Sequence, residues 1–200
     1  MIAFENELQR NQADLVLVVG DVTSTMACAI VAKKINTKVA HVEAGIRSFD
    51  TTMPEEINRM VTDSIADYFF TTSSYANENL RRSGVPEDRI FFVGNVMIDT
   101  LLSNRHRFVK PDVYDSASLR DGHYFVLTLH RPANVDEIEK LRAIIRAITE
   151  SSRGLPIIFP VHPRTANILK SGDILCAENW HVIDPMSYLQ FNFLVERANA

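Results

Sequence analysis

The densest set of side chains that could do acid–base chemistry lies in one stretch, VAHVEAGIRSFDTTMPEEINR, from Val39 to Arg59. It begins with an apolar strand pattern and ends with an amphipathic helix pattern, and the connection carries more charge than folding requires. Its charged residues are Glu43, Arg47, Asp50, Glu55, Glu56 and Arg59. Carboxylates can transfer protons, and arginines beside them can bind an anionic ligand. The stretch is therefore a candidate active-site loop.

Polar residues also follow the other apolar strand patterns. Asp21 follows LVLVVG, His130 and Arg131 follow YFVLTL, and His162 follows IIFPV. Ligands of open parallel sheets bind beyond the carboxyl ends of the strands, so side chains at these ends are expected to line a site. The full set expected there is Asp21, Glu43, Ser73, Ser74, Asn95, His130, His162 and Asp184.

Several candidates also have a purely structural explanation. Asp21 could do no more than favour the positive end of a helix dipole. Glu55 ends a T-M-P-E sequence that starts at Thr52, which matches a capping box with proline in the first turn. Glu55 and Arg59 also have the i,i+4 spacing of a helical ion pair. His41 lies within a strand pattern and is expected to be a core or interface histidine.

The two candidate histidines in the second half of the chain each leave two roles open. His130 could be a capping group, or it could form a site for an anionic ligand together with Arg131. His162 lies between Pro160 and Pro163, which restrict the local backbone, so structural and ligand-binding roles both fit.

Several chemistries lack their sequence motifs. H-x-H, H-E-x-x-H and C-x-x-C do not occur, so no metal site is expected. The absence of G-x-G-x-x-G, of a Walker lysine motif and of G-x-S-x-G argues against a dinucleotide fingerprint, a P-loop ATPase and a serine hydrolase. The remaining set suits proton transfer on a substrate that carries phosphates, without a metal or cofactor.

Composition limits the class of partner. The 200 residues carry a net charge of -4, so there is no basic field for nucleic acid. No apolar run approaches the roughly 18 residues of a membrane span, and MIAFENELQR lacks the features of a signal peptide. Cys28 and Cys176 are far apart and outside any motif, which favours reduced thiols. We expect a soluble cytoplasmic protein.

The elements that must position the candidate residues alternate between strand and helix. This alternation predicts an α/β fold with parallel sheets, and LVLVV predicts a strand buried on both faces. Strands are predicted at 15–19, 39–42, 68–71, 90–93, 124–129, 157–161 and 181–183. Helices are predicted at 23–35, 54–67, 75–83, 97–108, 135–152, 165–170 and 187–198. A proline-containing segment with little periodicity predicts a linker at 109–122, between domains at 1–108 and 123–200.

Five blocks carry a family resemblance: VVGDVTSTMACAIVA, HVEAGIRSFDTTMPEEINR, FFVGNVMIDTLL, VLTLHRPANVD and FPVHPRT. In order and spacing they resemble the non-hydrolysing UDP-N-acetylglucosamine 2-epimerases of bacteria and archaea, across nearly the whole chain. The resemblance implies a glycosyltransferase-B-like fold of two Rossmann-type parallel-sheet domains, here both partial. It implies interconversion of UDP-GlcNAc and UDP-ManNAc for surface polysaccharide, through UDP elimination and re-addition to 2-acetamidoglucal. It also implies a homodimer that needs no metal or nicotinamide.

The resemblance assigns roles to individual residues as well. The catalytic set it implies is Asp21, Glu43, Glu55 and His130, with Asp21 and Glu55 as leading acid/base candidates. The substrate-binding set is Arg59, Arg131 and His162. Arg59 matches a substrate anchor, whereas Arg131 and His162 match positions that bind a second, activating UDP-GlcNAc in some bacterial members.

The chain also departs from the family pattern. Members begin with an additional strand and a phosphate loop, and they continue into a D-S-G-G-x-x-E-E motif that grips the uridine and phosphates; neither is present. Thr51 stands where members commonly have arginine. Three functions stay open: an epimerase, an inactive or partner-dependent nucleotide-sugar-binding fragment, and a hydrolysing epimerase or transferase of the same fold. The HVEAGIR and MPEEINR blocks favour an epimerase over a transferase.

Overall fold

A computed structural model describes residues 1–129, 132–172, 174 and 176–200 of the chain. The chain divides into two compact units, Met1–Leu102 and Ser103–Ala200. His130 and Arg131, two of the predicted site residues, lie outside the described residues. None of the helices in the described part combines the length and hydropathy needed to span a bilayer.

The first unit is built on four parallel strands and the helices that connect them. The strands are β1 (Leu15–Val19), β2 (Lys38–Val42), β3 (Tyr68–Thr71) and β4 (Ile90–Phe92). The helices are α1 (Ile2–Arg10), α2 (Thr23–Lys34), α3 (Pro54–Ile65), α4 (Ser74–Arg82) and α5 (Val96–Asn104), whose end reaches into the second unit. The sheet order is β1-β2-β3-β4, and each strand is parallel to its neighbour, as predicted.

Only one face of β1 is buried, so the prediction of a strand buried on both faces is wrong. Val16 and Val18 are buried, whereas Leu15, Leu17 and Val19 are 44%, 57% and 51% exposed. The strands follow one another in sequence order, and right-handed crossovers then place the connecting helices on the same face of the sheet. In agreement, α2 packs against α1, α3 and β1.

Gly45, in the connection after β2, brings that connection against α4. Its φ is +77°, which favours glycine. A Cβ here would overlap the carbonyl oxygen of Ala76 and would lie 2.9 Å from Leu80 Cγ. Ala44 and Leu80 are fully buried in the same apolar cluster. The absence of a side chain at Gly45 therefore allows the loop that carries the candidate residues to pack against α4.

The second unit contains three parallel strands in the order β5-β6-β7. The strands are β5 (Phe125–Val126), β6 (Ile157–Pro160) and β7 (Trp180–Ile183). The helices are α6 (Asp112–Ser116), α7 (Pro132–Val135), α8 (Ile138–Ser151), α9 (Pro163–Ser171) and α10 (Tyr188–Arg197). The helix predicted over 135–152 corresponds to α8, and a separate short helix, α7, precedes it.

The segment 109–122, predicted as a linker, lies within the second unit. It contains α6, and Leu119 is buried with Tyr124 and Leu194 in one apolar cluster. The hydroxyl of Tyr124 donates a hydrogen bond to the Leu194 carbonyl at 2.7 Å. The units separate earlier than the predicted limits, at Leu102, because the apolar side chains of this segment contribute to the second core.

Candidate active site at the ends of the first two strands

Asp21 follows β1 after one residue, Gly20, and is held by α3. Its carbonyl accepts a hydrogen bond from Asn58 Nδ2 at 2.8 Å. Its carboxylate forms an ion pair with Arg59, and the Asp21 side chain is 31% exposed. The amide of Gly20 donates to the Val42 carbonyl at 3.0 Å, which joins the ends of β1 and β2. The Asp21 carboxylate is therefore fixed in place and still accessible to a ligand.

Arg59 bridges two carboxylates. It pairs with Asp21 through Nη2, and its Nη1 donates to Glu56 Oε2 at 3.1 Å. The predicted i,i+4 pair with Glu55 is wrong, because the guanidinium turns toward the inside of the unit while the Glu55 side chain is exposed. Arg59 therefore connects the helix α3 to the end of β1.

Glu56 is almost fully buried and anchors the loop after β2. Its side chain is 1% exposed, and it accepts hydrogen bonds from the amides of Ser48 at 3.0 Å and Phe49 at 3.1 Å. Burial by itself would raise the pKa of this carboxyl. The hydrogen bonds from Ser48, Phe49 and Arg59 outweigh burial and lower the pKa below its ordinary value of 4.5. Glu56 is thus an ionised anchor beneath the candidate site.

The sequence did not assign this role to Glu56. The only sequence feature that pointed to Glu56 was its position directly after Glu55, the proposed capping glutamate. Glu55 itself lies exposed in the first turn of α3, on the same helix as Arg59.

The capping box predicted at Thr52 is not formed. The N-cap residue of α3 is Met53, which makes no side-chain cap hydrogen bond. The amide and hydroxyl of Thr52 instead donate to Asp50 Oδ1 at 3.0 Å and 2.6 Å. These two bonds lower the pKa of Asp50. Thr52 lies one residue too early to cap the helix, and it closes the preceding turn.

Glu43 follows β2 with a left-handed backbone, at φ +69°. Its Oε2 lies 3.8 Å from the point that a Cβ on Gly20 would occupy. The strand ends thus bring Glu43 close to the turn that precedes Asp21.

Next to this turn lies a buried cluster around His41. The His41 side chain is 0% exposed, which confirms the expectation of a core histidine.

His162 caps a helix, and it is the one residue of the predicted catalytic and substrate-binding sets that has a described position in the second unit. It is exposed, and its Nδ1 accepts a hydrogen bond from the Arg164 amide at 3.3 Å at the start of α9. Capping accounts for one ring nitrogen and leaves the other for a ligand. The described residues contain no group of three or more side chains that could hold a metal ion.

The structure therefore pairs Asp21 with Arg59 in the first unit and places Glu43 next to Gly20, the residue before Asp21. Glu55 lies on the same helix as Arg59. A partly exposed carboxylate, a second carboxylate and a bridging guanidinium can exchange a proton with a ligand and bind its negative charge. The catalytic and binding roles of the seven predicted residues stay predictions.

Comparison with known proteins identifies the family. A model of the family described as UDP-N-acetylglucosamine 2-epimerase matches residues 1–200. The chain belongs to the UDP-N-acetylglucosamine 2-epimerase family.

Members of this epimerase family are similar along the whole chain. The UDP-N-acetylglucosamine 2-epimerase of Methanocaldococcus jannaschii is 40% identical over 99% of this chain and 57% of its own length. The UDP-2,3-diacetamido-2,3-dideoxy-D-glucuronate 2-epimerase of Pseudomonas aeruginosa is 35% identical over 99% of this chain and 55% of its own. The chain thus spans about half the length of the relatives it matches.

Solved structures of UDP-GlcNAc 2-epimerases have the same fold. The crystal structure of the Methanocaldococcus jannaschii enzyme in complex with UDP-GlcNAc and UDP matches with a TM-score of 0.84 and 41% identity, over 98% of this chain and 56% of that one. The enzyme of Rickettsia bellii matches with a TM-score of 0.81 and 31% identity, over 98% and 52%. These matches confirm the predicted α/β, glycosyltransferase-B-like fold class of this epimerase-family chain.

Proposed function

We propose that the chain takes part in the interconversion of UDP-GlcNAc and UDP-ManNAc by epimerisation at C2. The observation that carries this proposal is the Asp21–Arg59 ion pair at the end of β1, beside Glu43, in a chain of the epimerase family. The crystallised relative from Methanocaldococcus jannaschii is described in complex with UDP-GlcNAc and UDP, which supports a nucleotide-sugar ligand.

The proposed reaction is an elimination followed by an addition. A base removes the C2 proton, the C–H electrons form a C1–C2 double bond, and the C1–O bond breaks to release UDP. The product is 2-acetamidoglucal. An acid then protonates C2 from the opposite face while the UDP oxygen attacks C1. Because the C2 proton is weakly acidic, a positioned base and acid and a cationic partner for UDP are required.

Asp21 and Glu55 are the proposed acid and base, and Glu43 supports them. His130 is assigned to the diphosphate, Arg59 anchors the substrate, and Arg131 and His162 contribute to nucleotide-sugar binding. The partial exposure of Asp21 and its pairing with Arg59 support the assignment, since an acid–base group must be both fixed and reachable.

The test is to incubate the purified chain with UDP-GlcNAc in deuterated water and to follow the H2 proton by NMR. Deuterium at C2 together with UDP-ManNAc would support the proposal. Free ManNAc would identify a hydrolysing enzyme. No exchange by the folded chain would contradict activity of the chain by itself and would favour a fragment that depends on a partner.

Glu55→Gln tests the proposed acid–base role. Where the chain exchanges the C2 proton, we expect this substitution to slow deuterium exchange by about a hundredfold or more, because general acid–base catalysis contributes at least that factor. Glu139→Gln is the control, since Glu139 also lies exposed in the first turn of a helix, α8, and it should leave the rate unchanged. Equal rates for the Glu55 variant and the unsubstituted chain would remove Glu55 from the mechanism.

A second substrate deserves the same assay. The relative from Pseudomonas aeruginosa is named for UDP-2,3-diacetamido-2,3-dideoxy-D-glucuronate, which is epimerised at the same carbon. Deuterium exchange faster with that sugar than with UDP-GlcNAc would assign the chain to it.

We also propose that the chain is a cytoplasmic homodimer with no nucleic-acid or membrane partner. The free thiols of Cys28 and Cys176 fit a reducing compartment. Among the described residues, β1 pairs with β2 alone, and its exposed face carries Leu15, Leu17 and Val19. A strand with one unpaired edge and exposed apolar side chains favours association. Sedimentation velocity of the purified chain tests the dimer, and a single monomer species would contradict it.

A further inference from the structure

A buried ion cluster lies next to the turn that precedes Asp21. It consists of His41 on β2, Asp63 on α3 and Arg47 in the connection between them, with side-chain exposures of 0%, 3% and 9%. Asp63 Oδ1 lies 2.6 Å from His41 Nδ1. Asp63 Oδ2 accepts hydrogen bonds from Arg47 Nη1 at 2.6 Å and from the Gly45 amide at 3.0 Å.

Both nitrogens of the His41 ring face oxygen atoms that can only accept. Nδ1 faces Oδ1 of Asp63, whose Oδ2 pairs with the Arg47 guanidinium, and Nε2 lies 3.0 Å from the carbonyl oxygen of Gly20. A neutral imidazole has one N–H and one lone pair, so either neutral tautomer would direct a lone pair at an acceptor oxygen. The imidazolium carries an N–H on both nitrogens and satisfies both contacts.

The charges around this imidazolium are compensated. Buried charges are stable only where they are paired and hydrogen-bonded. Asp63 contacts both cations of the cluster. The carboxylate of Glu43, through its proximity to Gly20, adds a second negative charge at the same turn.

The cluster holds the backbone on both sides of the candidate carboxylates. His41 binds the carbonyl of Gly20, the residue before Asp21, and Asp63 binds the amide of Gly45, two residues after Glu43. The left-handed backbone of Glu43 is strained for a residue with a side chain, so it must be held by its surroundings. These links join the ends of β1 and β2 to α3.

We propose that His41, as a doubly protonated imidazolium, and Asp63 are positioning residues that fix the backbone of Asp21 and Glu43. Their importance for catalysis rests on the proposed function. The hydrogen-bond arrangement does not, and it can be measured in a chain that performs no reaction.

The first test uses the unsubstituted full chain. Proton–nitrogen correlation spectra of the isotope-labelled protein at neutral pH should show two ring N–H signals for His41, with both nitrogens at the shifts of an imidazolium. Exposed His106 supplies, in the same spectrum, the signals of a histidine ring that is in contact with water. A single ring N–H and one unprotonated nitrogen would overturn the proposal.

Asp63→Asn changes the same spectrum in a specific way. The amide group of asparagine can donate to Nδ1 while its oxygen keeps the bonds from Gly45 and Arg47. We expect His41 to lose the Nδ1 proton and to keep the Nε2 proton, which no general loss of packing would produce. An unchanged pair of N–H signals in this variant would overturn the role of Asp63.

Asp63→Ala and Thr62→Ala form a matched pair for the positioning role. Both truncate a buried side chain on α3, and Thr62 donates only to the Asn58 carbonyl of the same helix, at 2.7 Å. We expect Asp63→Ala alone to speed hydrogen exchange of the Gly45 amide by about tenfold or more, since that amide loses a charged acceptor. Equal exchange in both variants would overturn the proposal. If Asp63→Ala does not fold, the spectrum of the unsubstituted chain decides.

Loss of the proposed function leaves these results untouched. A chain with the two His41 N–H signals and no C2 exchange supports the cluster and contradicts the epimerase activity. Where exchange occurs, Asp63→Ala should lower kcat more than it changes KM, because the variant displaces carboxylates that act on the bound sugar. A rise in KM with unchanged kcat would contradict positioning of the carboxylates.

Discussion

Glu56 connects the loop after β2 to the helix that carries Arg59. Its two carboxylate oxygens satisfy the amides of Ser48 and Phe49 and one side of the Arg59 guanidinium. Arg59 in turn holds Asp21. A change at Glu56 therefore reaches the candidate site through two bonds, although Glu56 itself is not exposed to a ligand.

Glu56→Gln should destabilise the chain by about 1.5–3 kcal/mol, because it removes a charged acceptor and turns an NH₂ group toward one of these donors. Urea unfolding followed by circular dichroism measures the change. Glu55→Gln is the control at the neighbouring exposed position, where we expect a change within about 0.5 kcal/mol. Equal losses for the two variants would contradict the anchoring role of Glu56.

The same carboxylate makes stability depend on pH. Its pKa is lower in the folded chain than the ordinary value of 4.5, so the unfolded chain binds its proton first as the pH falls. The stabilisation is complete above the ordinary pKa and is lost as the pH falls through the folded pKa. The difference in unfolding free energy between the unsubstituted chain and Glu56→Gln should therefore shrink below about pH 4. A difference that stays constant on acidification would show that Glu56 is not stabilised as a carboxylate.

Helix α3 begins without a side-chain cap, in contrast to α4, where Ser73 accepts a hydrogen bond from the Ala76 amide at 3.2 Å. Pro54 in the first turn of α3 removes one donor that would otherwise need a partner. The start of α3 is instead located by the loop, through Glu56 and Arg59. Glu55 is therefore not needed to cap the helix, and it stays exposed in the first turn.

Gly45→Ala tests the close packing of that loop on α4. The added Cβ would overlap the Ala76 carbonyl and would also require a left-handed alanine, so we expect a loss of more than about 3 kcal/mol. Gly84→Ala is the matched control, since Gly84 also has a positive φ, of +85°, but has nothing within 4 Å of its Cβ position. That control should cost only about 1–2 kcal/mol. Similar unfolding free energies for the two variants would contradict the packing argument.

The two units differ in how their sheets are covered. In the second unit both faces of β6 are covered. Ile158 and Phe159 are neighbours in the strand and point to opposite faces, and each belongs to a different apolar cluster. In the first unit, the alternate residues of β1 that face away from α2 are exposed. The surface of the first unit therefore contains an apolar row on a strand with one unpaired edge among the described residues.

Leu17→Lys tests whether this row drives the proposed association. The side chain is 57% exposed, so the fold should tolerate the charge, while a charge on an edge strand opposes pairing. We expect the dimer dissociation constant to rise by about tenfold or more in sedimentation equilibrium. Leu102→Lys, at an exposed leucine of α5, is the control and should leave association unchanged. Association equal to that of the unsubstituted chain would exclude β1 from the interface.

Local pattern was sufficient for most of the architecture. The alternation of apolar strands with amphipathic helices predicted parallel sheets, and the strand at Tyr68–Thr71 has the predicted limits. Strand ends are also local features, so the sequence alone predicts that Asp21 and Glu43 lie at the same edge of a sheet. This succeeds because side-chain periodicity reports burial within a few residues.

Three features depended on the tertiary structure. An apolar run has the same sequence whether one or both of its faces are covered, so the strand order decided the burial of β1. The T-M-P-E pattern does not specify which residue caps, and the loop bonds of Glu56 decided that α3 begins after Met53. His41 and Asp63 are 22 residues apart in the sequence. Only the tertiary structure therefore shows that their side chains are in contact next to the candidate carboxylates.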